Sequence, residues 1–237
     1  MENNTYDIIV VGGGHAGIEA ANASAKMGCR TLLLTQDKRG IGRPSCNPSI
    51  GGTAKGHLVK EIDALGGAMG VLADRAGIQF KTLNKSKGPA VWSPRAQIDK
   101  DLYPIYALEY LLKLSNLSIA SGTAVEIIIR GGKAEGVRTE SGAVFYSSAV
   151  VFTPGTFLNG LMFTGRESSR GGRFGEKPAE QISNRLALAG LEMNRLKTGT
   201  PPRIRKSSID YSIIEPHPGD ERPEPFSFRT KTVKNLC

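Results

Sequence analysis

The feature that most constrains the fold lies near the N-terminus. Tyr6-Asp7-Ile8-Ile9-Val10-Val11 is a β-branched apolar run that feeds straight into Gly12-Gly13-Gly14-His15-Ala16-Gly17 and an alanine-rich stretch ending near Gly28. Strand, tight turn and helix in this order make a dinucleotide-binding fingerprint. Gly12 permits the turn, Gly14 presents no Cβ to an approaching pyrophosphate, and Gly17 lets the helix pack closely on the strand, so phosphates can meet N–H groups at the positive helix end. Arg30-Thr31-Leu32-Leu33-Leu34 supplies the second strand. The acid expected about 20 residues further on to hold the ribose hydroxyls is replaced by Thr35-Gln36, which leaves that contact to Asp37 or a loop.

Downstream, a helix is expected near Arg95 to Lys113, followed by short strands at Val125–Ile129, Ala134–Thr139, Val144–Tyr146 and Ala149–Phe152, with turns at Gly131-Gly132 and Ser141-Gly142. A fingerprint, a long excursion, a small β-meander and an apolar strand ending in Thr153-Pro154-Gly155 resemble the FAD domain of glutathione-reductase-like flavoproteins. The expected class is α/β, a Rossmann-like domain with a meander, and FAD is favoured over NAD at the first motif.

A second constellation is Ser45-Cys46-Asn47-Pro48-Ser49-Ile50-Gly51-Gly52, one cysteine on a Pro/Gly loop directly ahead of an amphipathic helix that carries Lys55 and His57. A thiol near a helix N-terminus and cationic neighbours has its pKa pushed down and its thiolate populated. The pattern also fits a small buried hydrophobe. The three cysteines, Cys29, Cys46 and Cys237, are too few and too scattered for a disulfide framework, and they offer no zinc-ligand spacing. With polar residues ahead of the first strand and no long apolar run, neither a signal peptide nor a membrane span is expected, and the expected compartment is the cytoplasm.

Lys and Arg outnumber Asp and Glu 31 to 22, a formal net charge of +9, which suits a polyanionic partner such as nucleic acid. Arg166, Arg170, Arg173 and Arg185 form one basic cluster; Arg195, Lys197, Arg203, Arg205 and Lys206 form another. From Gly199 the sequence turns proline- and charge-rich without a closing helix or strand. Residues 1–198 are therefore expected as the FAD-binding domain and 199–237 as the start of an inserted domain or linker, the N-terminal part of a longer protein.

Taken together, the motifs resemble the GidA (MnmG) family, flavoproteins that modify the wobble uridine of certain transfer RNAs. The resemblance runs through Gly12–Gly17, Ser45–Gly52, Lys55–Glu61, Asp63–Gly67, Gly77–Phe80, Lys87–Val91, Arg95–Gln97 and Arg195–Arg203. It implies an FAD domain interrupted by inserted domains, a flavin reduced by NADH, and a one-carbon unit from methylenetetrahydrofolate placed with an amine on C5 of uridine 34. It further implies a homodimer working with the GTPase MnmE. By the same resemblance Cys46 is the catalytic cysteine, adding to C6 of the base, and FAD is contacted by Gly12, Gly13, Gly14, His15, Ala16, Gly17, Val125 and Ala179, the last through its backbone because it lacks the family's usual hydroxyl. The competing readings are a small-molecule flavin oxidoreductase and a binding protein without turnover.

Overall fold

The computed structural model describes residues 4–44, 47–202 and 204–236. In chain order the first elements are β1 (Thr5–Val11), α1 (His15–Lys26), β2 (Thr31–Thr35), β3 (Ser49–Gly51), α2 (Lys55–Ala64), α3 (Met69–Ala76), β4 (Gly77–Leu83) and β5 (Ser93–Ile98). They are followed by α4 (Leu102–Leu111), β6 (Leu117–Ser121), β7 (Ala124–Arg130), β8 (Lys133–Thr139), β9 (Val144–Phe152), β10 (Leu161–Thr164), β11 (Glu167–Arg170) and α5 (Gln181–Leu188). The chain forms two compact units, Met1–Arg43 with Ala107–Arg195, and Pro44–Tyr106 with Leu196–Cys237.

The first unit is built on a six-stranded sheet in the order β6-β2-β1-β9-β8-β7. β6, β2, β1 and β9 run parallel, while β9, β8 and β7 form the antiparallel meander. Parallel strands covered on both faces read as unbroken apolar runs, and every residue of β2, Thr-Leu-Leu-Leu-Thr, is buried. Alanines at 21 and 25 bring α1 close to the sheet. Ile9, Val11, Leu32 and Leu34 meet Ala124 and Val137 of the meander and Ile182 and Leu186 of α5 in one core. Each fully buried branched side chain there contributes roughly 1.5–3 kcal/mol. The interrupted α/β domain expected from the sequence is thus present, discontinuous in the chain.

Two elements differ from expectation. The segments Val144–Tyr146 and Ala149–Phe152 are a single strand, β9, because its two ends have different partners. Val144–Tyr146 pairs antiparallel with β8, and from Tyr146 onward the strand lies parallel along β1. The helix expected near Arg95–Lys113 begins only at Leu102, since Ser93–Ile98 pairs on both sides as β5. The carboxylate of Asp99 sets the helix start by accepting the N–H groups of Asp101 and Leu102 at 2.8 and 3.0 Å.

The second unit holds an antiparallel sheet, β3-β5-β4, with α2 packed on β3 and β5 and α3 packed on α2 and β5. β4 is an edge strand, and unpaired edges invite aggregation. Its outward groups are met by the C-terminal segment. Leu236 N–H donates to the Ile78 carbonyl, Phe80 N–H to Asn235 Oδ1, Asp220 N–H to the Phe80 carbonyl, and Thr82 N–H to Asp220 Oδ2, all within 2.7–2.9 Å. Two helix carboxylates hold the same segment. Asp63 accepts Phe228 N–H at 2.8 Å and pairs with Arg229 at 2.7 Å, and Asp74 accepts the N–H groups of Phe226 and Ser227. Among the described residues no helix is long and apolar enough to cross a membrane.

Candidate functional site

The turn between β1 and α1 shows why each glycine is needed. Gly12 has φ +108°, a conformation that costs other residues strain, and a Cβ there would strike the Thr153 carbonyl. Its N–H donates to the Leu34 carbonyl at 2.8 Å. A Cβ on Gly13 would meet Thr35 Oγ1 at 2.8 Å, and one on Gly17 would collide with the Gly12 carbonyl. These three positions are glycine because the protein itself leaves no room.

Gly14 differs from them. Its backbone is extended, at φ −74° and ψ −175°, which any residue adopts, and a Cβ built on it finds no protein atom within 4 Å. Gly14 and Ala16 are exposed while Gly13 and Gly17 are buried. Ile18 N–H to the Gly14 carbonyl, at 2.9 Å, is the first intrahelical bond, and α1 has neither a side-chain cap nor an acid in its first turn. The N–H groups of Ala16 and Gly17 accordingly have no helix carbonyl to meet, and the positive end of the helix opens on the space above Gly14. His15 is the first helical residue and half-buried. The cradle fits a pyrophosphate: open, lined by backbone N–H and free of a Cβ.

Residues far away in sequence brace this turn. Thr153, just after β9, donates from Oγ1 to the carbonyls of Val11 and Gly12 at 2.9 and 3.1 Å. Gly42 N–H donates to the Gly13 carbonyl at 2.9 Å. Arg173 in turn holds the 37–43 loop, donating to the Arg43 carbonyl at 2.8 Å and to Glu176 at 2.9 Å while lying over Phe157. Glu176 also pairs with Arg43 at 3.1 Å. Thr153 and the Arg173 brace were not found from the sequence. A partner more than 100 residues away leaves no local signal.

The other expected contacts take these positions. Val125 is half-buried on β7, where the ladder with β8 slips between Ala124 and Glu126. It stands at a bulge, a device common beside binding sites. Ala179 bridges to Leu158, and both its backbone groups are engaged, the N–H with the Phe157 carbonyl at 2.8 Å and the carbonyl with Asn159 N–H at 3.1 Å. What remains for a ligand there is the second lone pair of the carbonyl. Asp37 does not project freely toward a ribose. Its carboxylate caps the Lys38–Gly40 turn through Arg39 N–H at 2.9 Å and pairs with the Arg39 side chain, and these hydrogen bonds hold its pKa below the ordinary value.

Cys46 and Arg203 lie outside the described residues. The expected helix carrying Lys55 and His57 is α2, and the short strand β3 lies between it and the Cys46 loop. His57 is exposed on α2. Between strand and helix the backbone is strained. Gly51 and Gly52 have positive φ, and Ala54 has φ 63° and ψ −54° with Lys55 N–H donating to the Thr53 carbonyl at 2.8 Å. That is a γ-turn of the rare positive-φ kind. Such strain persists only where its surroundings enforce it, and it clusters near functional segments. In the first basic cluster, Arg170 faces Glu180 at 2.7 Å, Arg173 faces Glu176, and Arg185 lies 3.9 Å from Glu126. These three cations are therefore already partly neutralised.

Comparison with known proteins places this geometry in context. The family model described as glucose inhibited division protein A matches residues 7–236. A protein of Wolinella succinogenes named tRNA uridine 5-carboxymethylaminomethyl modification enzyme MnmG is 57% identical over 226 residues, covering 95% of this chain and 36% of that protein. One of the same name from Thermodesulfovibrio yellowstonii is 54% identical over 230 residues, covering 97% of this chain and 37% of the relative. The crystal structure of Aquifex aeolicus GidA superposes with a TM-score of 0.92 at 48% identity, over 97% of this chain and 38% of that one. The chain spans a little over a third of the length of the curated relatives it matches.

Proposed function

Because this chain belongs to the glucose inhibited division protein A (GidA) family, we propose that it contributes the FAD-binding part of an enzyme that modifies the wobble uridine of transfer RNA. The observation that carries the cofactor assignment is the empty space over Gly14, a glycine for which nothing inside the protein has a use. The Ala16 and Gly17 N–H groups would receive the pyrophosphate, with Gly12, Gly13 and His15 shaping the turn beneath it, and the bulge at Val125 and the carbonyl of Ala179 would border the remainder of the nucleotide. Bound FAD, with NADH as its reductant, would supply the redox chemistry of the modification, and methylenetetrahydrofolate would supply the one-carbon unit placed with an amine on C5 of the base.

The chain's own residues have the remaining tasks. Cys46 adds as thiolate to C6 of the uracil and so makes C5 nucleophilic. The Gly51–Ala54 turn sets the direction in which the chain leaves the Cys46 segment for α2. We assign the work of the whole protein to a cytoplasmic homodimer that pairs with a GTPase of the MnmE kind. The test is nucleoside analysis of transfer RNA from cells with and without the full-length gene. Loss of the modified wobble uridine, restored by the wild-type gene, supports the reading; an unchanged nucleoside profile overturns it.

A further inference from the structure

The β3-β5-β4 sheet has one buried face and one polar face. Alternation places Ile50, Phe80, Ala96 and Ile98 in the core, and the intervening residues Ser49, Gln79, Lys81, Arg95 and Gln97 are half-buried. The register sets these in two rows. Gln79, Gln97 and Ser49 stand across from one another in the first, and Lys81 stands directly across from Arg95 in the second. Like charges directly opposite on a sheet are destabilising, and among the described residues neither cation has an ion-pair partner. Asp220, whose carboxylate accepts the N–H of Thr82 next to Lys81, pairs instead with Lys85 at 3.0 Å.

We propose that the Lys81–Arg95 pair is a contact for the phosphate backbone of the RNA substrate, an inference that rests on the transfer-RNA reading above. An anion bridging the two cations removes their mutual repulsion, and the Arg95 guanidinium presents a planar fork suited to phosphate oxygens. In the neighbouring row Gln79 already donates from Nε2 to the His217 carbonyl at 3.0 Å, so Gln97 and Ser49 are the neutral hydrogen-bond groups it offers to sugar or phosphate. Lys87 and Lys55, both exposed on segments adjoining β4 and β3, extend the positive potential. The strand that opens this platform, β3, starts at Ser49, directly after the Cys46-Asn47-Pro48 segment. A phosphate held here therefore tethers the RNA to the part of the chain that carries the proposed nucleophile.

The experiment uses full-length protein and unmodified transfer RNA, with binding measured across a salt series. Losing two phosphate contacts should make the slope of log affinity against log salt shallower by about 1.4–1.8, which is about 25- to 60-fold in affinity at 0.1 M relative to 1 M salt. The double variant K81Q/R95Q should show that loss, with flavin content unchanged and melting temperature unchanged or raised. The charge-preserving K81R/R95K should keep the wild-type slope, and K133Q, an exposed lysine of the meander, should change neither reading. A wild-type slope in K81Q/R95Q overturns the assignment, as does loss of flavin with RNA binding intact, which would give the pair to the cofactor. Absence of RNA binding in the wild-type protein overturns the transfer-RNA reading itself, and this inference with it.

Discussion

Gly14 and Gly17 are separated by less than one helical turn, yet the structure predicts different consequences for giving each a methyl group. In Gly14→Ala the new Cβ meets no protein atom and the backbone is already extended. The new methyl meets no clash, but Gly14 is the N-cap of α1, where alanine is a poorer residue than glycine. This offsets the roughly 0.4–1 kcal/mol gained from the lost freedom of the unfolded chain, for a net change near zero. In Gly17→Ala the Cβ collides with the Gly12 carbonyl, a rigid backbone group inside the turn, so the cost is that of overpacking, about 3 kcal/mol. At roughly 2–4 °C per kcal/mol for a domain of this size, the two apo proteins should differ in Tm by about 10 °C. Flavin binding ranks them differently. The methyl of Gly14→Ala stands where the pyrophosphate must reach the helix N–H groups, and losing one charge-assisted bond of about 1.5–3 kcal/mol weakens FAD roughly 10- to 150-fold. Urea unfolding of the apo proteins and a fluorescence titration with FAD measure both quantities. If Gly14→Ala is as unstable as Gly17→Ala, or binds FAD with wild-type affinity, the space over Gly14 is not a ligand cradle.

Four further outcomes are expected. Asp63 is fully buried, and although burial pushes its pKa up, hydrogen bonds from Arg229, Ser227 and Phe228 outweigh this and leave it below the ordinary 3.8. Its contribution is present above that value and is lost as pH falls through the lowered one. Asp63→Ala should cost about 3 kcal/mol at neutral pH and flatten the acid limb of a stability-against-pH curve, and an unchanged limb would show that Asp63 does not hold the C-terminal segment. Asp74, raised by burial despite its bonds to Ser227 and Phe226, has the opposite sign, its contribution falling as pH rises through the raised value. Asp74→Asn, which gives up one of the two accepted N–H bonds at every pH, should therefore show a smaller fall in urea-unfolding stability between pH 4 and 7 than wild type, and an equal fall would contradict the sign. Ala54→Gly should stabilise by about 1 kcal/mol in urea unfolding, the αL-side penalty relieved less the entropy of glycine; a loss of stability would contradict the γ-turn. Cys46→Ser in the full-length enzyme should leave the thermal melt and flavin content near wild type while wobble-uridine modification falls steeply, since a hydroxyl is a far weaker nucleophile at neutral pH. Normal modification with a lowered melt would make Cys46 a packing residue.

Much of the first unit was legible because its signals are local. A β-branched run, three close-set glycines and an alanine-rich helix dictate a turn whose geometry depends on residues adjacent in the chain, and the buried strand Thr31–Thr35 announces itself by hydropathy alone. The Asp99 cap that starts α4 was also legible in principle, as an acid three residues ahead of Leu102, but the apolar content of Arg95–Ile98 suited helix and strand equally. Only the pairing of β5 with β3 and β4 decided between them. The same holds for Val144–Phe152, which alternates poorly because its two halves answer to different neighbours.

What the sequence determined by itself is the glycine turn between β1 and α1, the α/β class and the motifs that carry the family. What tertiary structure decided is everything that depends on groups distant in the chain meeting: that Thr153 and Arg173 brace the turn, that residues 44–106 join 196–237 in one unit, and that a proline-rich tail completes the edge of β4. Local patterns encode periodicity and turn chemistry, which act over a few residues. A hydrogen bond between residues 150 positions apart exists only once the intervening chain has folded, and no property of either residue alone announces its partner.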